Sequence, residues 1–270
     1  MKTVVNRPPA GTFSWLHAGG TEIEVPDEAV EYEYRLAPGE ERTVILTDFE
    51  GKTGIEAALS EGSQLTLVEI RRGGTEGLSE NTICIRCEDR ASFHWIRLIL
   101  SDAEAYDNCQ VILSGEGSEF RADIGFLVGG TGRYDLNCEA VHEGKKSTSE
   151  IRASGVLSGC AKKLLRGTID FRKGCSGAVG NESEEVLLLS ERVENLSVPV
   201  ILCAEEDVVG NHGASIGQAD EKLLHYFGTR GISEAHAVRM LSEAKLGRVI
   251  GQIPDEALQE QLRNEVNHAD

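Results

Sequence analysis

Two residues of this chain carry side chains suited to holding iron at conspicuous places in the sequence: His212, in "NHGASIG" (211–217), and Cys203, in "VPVILCA" (198–204). Imidazole is a borderline ligand and thiolate a soft one, and both bind iron. One turn of the chain between them would make the pair a metal site. Each has a plainer reading: a histidine that holds a turn by hydrogen bonds, and a small core residue in a buried strand. Cys160 and Cys175, flanking "KKLLRGTIDFRKG", are weaker candidates. "CIRC" (Cys84–Cys87) has the spacing of a zinc or redox motif, but "NTICIRC" reads as a strand, in which residues three apart point to opposite faces, and no second pair follows. "DFEGKTG" contains Gly51-Lys52-Thr53 but lacks the first glycine of a phosphate-binding loop. It is expected to be a β-turn, and no nucleotide is expected to bind this chain directly.

Charge narrows the choice of partners. Asp and Glu total 45 against 27 Lys and Arg, a formal net charge of −18. Such a field repels phosphate backbones and anionic membrane surfaces, which argues against nucleic-acid and membrane partners. No apolar run approaches the roughly 20 residues that span a bilayer, and the opening "MKTVVNRPPAGTFSW" has no apolar signal core. The seven cysteines are odd in number and irregularly spaced, as expected of reduced thiols in a cytoplasmic protein.

Strands must carry the candidate residues. From Glu31 to Leu202 short β-type runs recur, among them "RTVILTD", "SQLTLVEIR", "SFHWIRLIL", "EFRADIGFLVG" and "SEIRASGVL", separated by Gly, Asn, Asp and Ser. Alternation such as Tyr134, Leu136 and Cys138 puts one side of each strand into a core. With no helical pattern between the runs, a wound α/β fold is excluded and a sandwich, a barrel or a β-solenoid is left. Small, stackable strand residues, frequent glycines read as turns (Gly115, Gly117, Gly155, Gly167) and only 5% aromatics favour the solenoid. The expected fold is therefore mainly β, with a solenoid core and leading β segment over residues 1–218 and a small α-helical domain over 219–270.

In the helical part, Asp220 is expected to cap a helix carrying Leu223, Leu224 and Phe227 on one face, with Gly231 as its left-handed stop. Ser233 caps a second helix with Ala237, Met240, Leu241 and Ala244, and Pro254 is placed in the first turn of a third with Leu258, Leu262 and Val266. So small a unit has no independent core. It must dock on the β domain, on a partner, or on both.

The stretch "HGASIGQADEKLLHYFGTRGISEAHAVRML" (212–241) resembles the C-terminal signature of the SufB/SufD family of iron–sulfur cluster assembly proteins, the SUF system. Asp220, Glu221, Tyr226, Phe227, Arg230, Gly231, Ile232, Ser233 and Glu234 fall at or beside the places that pattern expects. Leu187 to Ser190, Pro199 and the closing "IGQIPDEALQEQLRNEV" are similar too. The likeness is specific over residues 185–266, diffuse over 114–180 and weak before that. It implies a right-handed parallel β-helix whose C-terminal helices grip a SufC-like ABC ATPase, with Leu223, Phe227, Met240 and Leu241 as contacts. It also implies pairing with a SufB/SufD-like protomer through the β-helix, as a homo- or heterodimer, and a transient iron or iron–sulfur cluster at His212 and Cys203. Departures are equally specific: Gly210 stands where the SufD branch often has cysteine, Gly213 where the SufB branch has a carboxylate, and Val193 near the SufB cluster-associated cysteine. A short SufD-like member fits these better than a cluster-building SufB.

The function expected is that of a non-enzymatic scaffold or adaptor of the SUF machinery. The alternative is a carbohydrate-active β-solenoid enzyme with paired carboxylates. Scarce aromatics for sugar stacking and the helical appendage count against it.

Overall fold

A computed structural model describes residues 2–9, 18–25, 28–48, 50–73, 77–218 and 221–268, the side chains of Glu221, Leu223 and His268 excepted. Two parallel seven-stranded sheets form a solenoid. One sheet holds β3 (Ala29–Leu36), β5 (Gly51–Leu59), β7 (Leu78–Cys87), β9 (Glu104–Leu113), β11 (Arg133–His142), β13 (Lys162–Phe171) and β15 (Glu194–Cys203) in that order. The other holds β4 (Glu41–Thr47), β6 (Gln64–Arg72), β8 (Ser92–Leu100), β10 (Glu119–Val128), β12 (Thr148–Leu157), β14 (Ala178–Leu188) and β16 (Val208–Gln218). Successive strands alternate between sheets, and each pairs in register with the strand one coil away, so that Cys109 stands beside Cys138 and Val111 beside Ala140. This is the solenoid that the strand pattern favours, and it excludes the sandwich and the barrel.

The first six coils turn at one side of the stack through a residue of positive φ: Gly39, Gly62, Arg90, Gly117, Lys146 and Gly177. The N–H of each donates to a carbonyl of the next turn, as Gly117 does to Lys145 and Lys146 to Ser176. Gly155 and Gly167, read from the sequence as turn residues, lie inside β12 and β13. A Cβ on Gly155 would collide with the ring and carbonyl oxygen of Phe126, and one on Gly167 with the Glu182 carboxylate. They are there because the lumen is narrow. Gly51 to Thr53 likewise open β5 instead of forming a turn.

The lumen is filled by the inward row of each strand, among them Phe93 and Phe120, whose rings stack 5.7 Å apart. At its first end, Tyr32 and Tyr34 of β3 lie parallel with ring centroids 6.4 Å apart and pack on the core with Val44 and Leu46. A leading antiparallel ribbon, β1 (Lys2–Val5) and β2 (Thr21–Glu24), lies on the outside of the β3–β15 sheet. Arg166 of β13 holds it by donating to the carbonyls of Ala18 and Gly19 at 2.5 and 2.6 Å and pairing with Asp135 at 2.5 Å. Asn6 and Thr21 donate to the same Asp135 carboxylate at 2.7 and 2.6 Å.

Three helices follow: α1 (Glu221–Thr229), α2 (Glu234–Ile250) and α3 (Glu256–His268). Ser233 accepts from the His236 N–H at the start of α2, and Gly231 has φ +79°, as the sequence implies. At α3 the cap is Asp255, whose carboxylate accepts from the Leu258 N–H at 3.0 Å; Pro254 precedes it and is not in the first turn. The expected Asp220 cap lies outside the described residues. None of the described helices is long and apolar enough to cross a membrane.

The helices dock on the outer face of the β4–β16 sheet. Leu246, Val249, Ile250 and Ile253, with Leu262 and Val266, form a second apolar core against Val68, Ile70, Ile96 and Leu98. Gly125 makes the approach possible, since a Cβ there would stand 2.7 Å from Leu98 and 3.3 Å from Leu246 and Val249. At the margins Ser154 donates to the Lys245 carbonyl at 2.9 Å, Lys245 and Arg248 pair with Glu185 at 2.8 and 3.2 Å, and Arg121 donates to Gln252 at 3.0 Å. Leu246→Asp should release α2 and α3 at a cost of roughly 2–5 kcal/mol, the range for losing a buried leucine. Hydrogen exchange should then show lost protection in both helices with the lumen strands unchanged; equal loss in β9 and β11 would mean that solenoid and helices are one cooperative unit.

Candidate functional site

The last coil, β15 and β16, is covered on one side only, because each is the outermost strand of its sheet. Register fixes which residues face the lumen. His212 pairs with Glu182 of β14, and Cys203 pairs with Phe171 of β13, so both lie in inward rows at the open end. The strands of the two sheets run in opposite senses across the lumen. A Cβ on Gly180 would meet Ile169, and one on Gly210 would meet Ile201, which places Val208 opposite Cys203 and Pro199 opposite His212.

His212 therefore sits four residues beyond the position that faces Cys203, roughly 13 Å along the strand at the usual rise. The coil carries both residues but does not bring them together. Cys203 is exposed beside the connecting turn, its thiol donating to the Glu205 carbonyl at 3.0 Å. His212 is exposed in the middle of a strand, so it holds no turn, and among the described residues no hydrogen bond reaches its ring. No group of three or more His, Cys, Asp or Glu able to hold a metal is found among the described residues.

Beneath His212 the lumen is charged. Glu182 is 7% exposed, and burial, the neighbouring Glu184 and only partial compensation by Lys163 push its carboxyl up to about 7. Glu184 pairs with Lys163 and accepts from Ser197 of β15, and burial lowers the Lys163 ammonium against the pull of Glu184. The sequence reads "NESEE" (181–185) as a solvated turn whose carboxylates iron delivery could use; the structure instead places it inside β14 with Glu182 and Glu184 buried. The signal of that burial was available: Glu182 and Glu184 stand two residues apart in a chain whose strands bury alternate residues.

A second polar group lies deeper. Arg97 and Asp107 form a two-pronged pair at 2.8 and 2.9 Å with both side chains fully buried, and Tyr134 donates to Asp107 at 2.9 Å. Glu69 accepts from Trp95 at 2.6 Å and from Asn81 at 3.0 Å; burial pushes it up to about 7, with Arg97 opposing. Folding thus binds a proton that the unfolded chain releases near its ordinary carboxylate value, so the Glu69 contribution to stability is complete in acid and is lost as pH rises toward 7. Glu69→Gln should flatten that loss. In a Trp15→Phe background, fluorescence of Trp95 should titrate near neutrality and cease to do so in Glu69→Gln; an unchanged titration would assign it elsewhere.

Cys84 is exposed and Cys87 fully buried on opposite faces of β7, so "CIRC" cannot chelate. Burial pushes the Cys87 thiol up to about 12, and burial with Glu56 raises Cys84. Cys160 is half-buried and Cys175 is buried against Ile169 and Phe171. Of the expected partner contacts, Met240 is exposed, Phe227 and Leu241 are half-buried, and the Leu223 side chain lies outside the described residues. Tyr226, 52% exposed, packs on Phe227 with Arg230 over its ring at 5.2 Å.

The family model described as "SUF system FeS cluster assembly, SufBD core domain" matches residues 44–245. The chain belongs to the SufB/SufD family. The match starts within β4, so the strands from there to Ser114, where the resemblance is weak, are part of the family core. The chain is 28% identical over 218 residues to the iron–sulfur cluster assembly protein SufD of Bacillus subtilis (strain 168), covering 78% of this chain and 47% of that protein. To SufB of the same strain it is 24% identical over 156 residues, covering 57% and 33%. A SufBD family protein of Guillardia theta is 25% identical over 245 residues, covering 80% and 50%. The likeness is thus SufD-like, and the chain spans about half the length of these relatives or less.

The exposures lead to a labelling experiment. A maleimide should modify Cys203 and Cys84 in the native chain, Cys84 the more slowly because its thiol is raised, and reach Cys87, Cys109, Cys138 and Cys175 only on unfolding. Peptide mass spectrometry reads the sites. Native labelling of Cys87 at the Cys84 rate would contradict the opposite-face assignment.

Proposed function

We propose that this chain is a scaffold subunit of a SUF-type iron–sulfur cluster assembly complex and does no bond chemistry of its own. The observation that carries this reading is the difference between the two ends of the solenoid. Stacked tyrosines pack on the core at the first end. Both end coils have unpaired strand edges and exposed apolar residues, Val30 and Ile45 at the first and Val209, Ile216 and Leu196 at the last; the last differs in presenting His212 in an uncovered inward row. An edge of this kind invites another sheet to continue it. A SufB/SufD-like protomer, a second copy included, would supply that sheet and bury His212 at the joint.

The helices supply the second contact. Among the described residues of the helical part, Tyr226 and Met240 are the exposed large apolar ones, and Phe227 and Leu241 are half-buried neighbours in sequence. Family relationship supports a SufC-like ABC ATPase as the partner on this surface, so nucleotide is handled there. Because α1 begins at Glu221, directly after β16 ends at Gln218, movement of the helices by the ATPase would be transmitted to the last coil and the protomer joint. Iron or a nascent cluster, bound transiently, is the cargo that His212 meets in that joint. The family match favours this reading over a carbohydrate-active solenoid.

Anaerobic affinity purification of the tagged chain from its own host tests the proposal. An ABC-type ATPase should co-purify in stoichiometric amount and be lost with Tyr226→Asp plus Met240→Asp, while a SufB/SufD-like protomer should be lost with Val209→Asp. Iron in the complex should fall on His212→Ala. A chain that comes out alone and metal-free would remove the scaffold reading.

A further inference from the structure

Resting on the reading of His212 as an iron contact, we propose that Glu182, and not Cys203, is the second ligand this chain offers to a ferrous ion at the open mouth of the lumen. Register carries the argument. Glu182 and His212 are Cα partners on β14 and β16, so their side chains leave neighbouring strands on the same face. Cys203 belongs to the other sheet, displaced along it toward the turn. The space around the pair is clear of bulk: Gly210 and Ala214 flank His212 in its row, and Gly167 leaves the room that the Glu182 carboxylate occupies.

Glu182 is a buried carboxylate still owed a partner. It is 7% exposed, and among the described residues no donor hydrogen-bonds to it. The nearest cation, Lys163, donates to Glu184 and to Ser197. A buried carboxylate is costly unless it is paired or coordinates a metal. A cation bound between Glu182 and His212 would supply the missing charge.

The donor set also names the cargo. One imidazole nitrogen and one carboxylate oxygen suit a single ferrous ion, the ligand types of non-haem iron sites, whereas assembled clusters are held mainly by thiolates. Two protein donors leave most of the coordination sphere to water or to the edge of a second protomer, in keeping with the lack of a three-residue group among the described residues. The mouth would thus receive ferrous iron on its way into a cluster, as an open and exchangeable site.

The test is anaerobic titration of the purified full chain with cobalt(II), a spectroscopic stand-in for ferrous iron, in wild type, Glu182→Gln, Glu182→His, His212→Ala and Cys203→Ser. Wild type should show d–d absorption without a thiolate-to-cobalt band. Glu182→Gln and His212→Ala should each weaken binding by more than the roughly 10–100-fold that loss of a mere outer-shell partner costs. Glu182→His should keep the site with a shifted d–d spectrum, which a fold defect would not produce, and Cys203→Ser should leave it unchanged. If His212→Ala abolishes binding while Glu182→Gln does not, the Glu182 assignment fails and the His212 reading survives. A thiolate band removed by Cys203→Ser overturns the assignment in favour of Cys203. Wild type that binds no cobalt overturns both.

Discussion

Everything in this molecule follows from the in-register stacking of one coil on the next. A parallel strand satisfies its backbone only through neighbours on both sides, so inner strands are secure and the outermost ones are not. Stacking also aligns side chains in columns along the lumen, as Cys109 with Cys138 and Glu182 with His212. A residue's chemical neighbours are therefore set less by sequence distance than by the length of a coil. That is why His212 meets a glutamate from the preceding coil and not the cysteine nearest to it in sequence.

The two ends of this stack differ in their inward rows. Tyr32 and Tyr34 give the first end an aromatic covering. The last coil has Gly210, His212 and Ala214 in the inward row of β16, too small and too polar to close it. The buried charges of Glu182, Glu184 and Lys163 lie just behind that opening, where a second protein or an ion could reach them. The leading ribbon, clamped by Arg166 and Asp135, covers the side of the stack.

Much of this was legible in the sequence, and what was not had a common cause. Alternation found the strands and placed Cys84 and Cys87 on opposite faces; Ser233 and Gly231 found the limits of helices, because capping is local chemistry. The family match, covering residues 44–245, agrees with the likeness seen around His212. Misreadings concerned contacts between coils. Gly155 and Gly167 looked like turn residues because glycine usually marks turns, but the ring of Phe126 and the carboxylate of Glu182 require them in strands. Arg90 and Lys146 stand at the left-handed turn position that glycine fills elsewhere, which hid the repeat. Pairing His212 with Cys203 assumed that one turn brings together what it joins, whereas the turn joins opposite sheets.

The docked helices act on the solenoid as a splint. Through Arg72 with Glu265, Ile96 and Leu98 in the second apolar core, Gly125 beneath Leu246, Ser154 with Lys245, and Glu185 with Lys245 and Arg248, they touch five consecutive strands of one sheet, β6 to β14. A bare stack of coils can fray one repeat at a time, but strands fastened to a common bar must open together. β16 lies beyond the end of the bar. A strand outside the bar, held through β14 alone, can open without moving the five that are fastened to it.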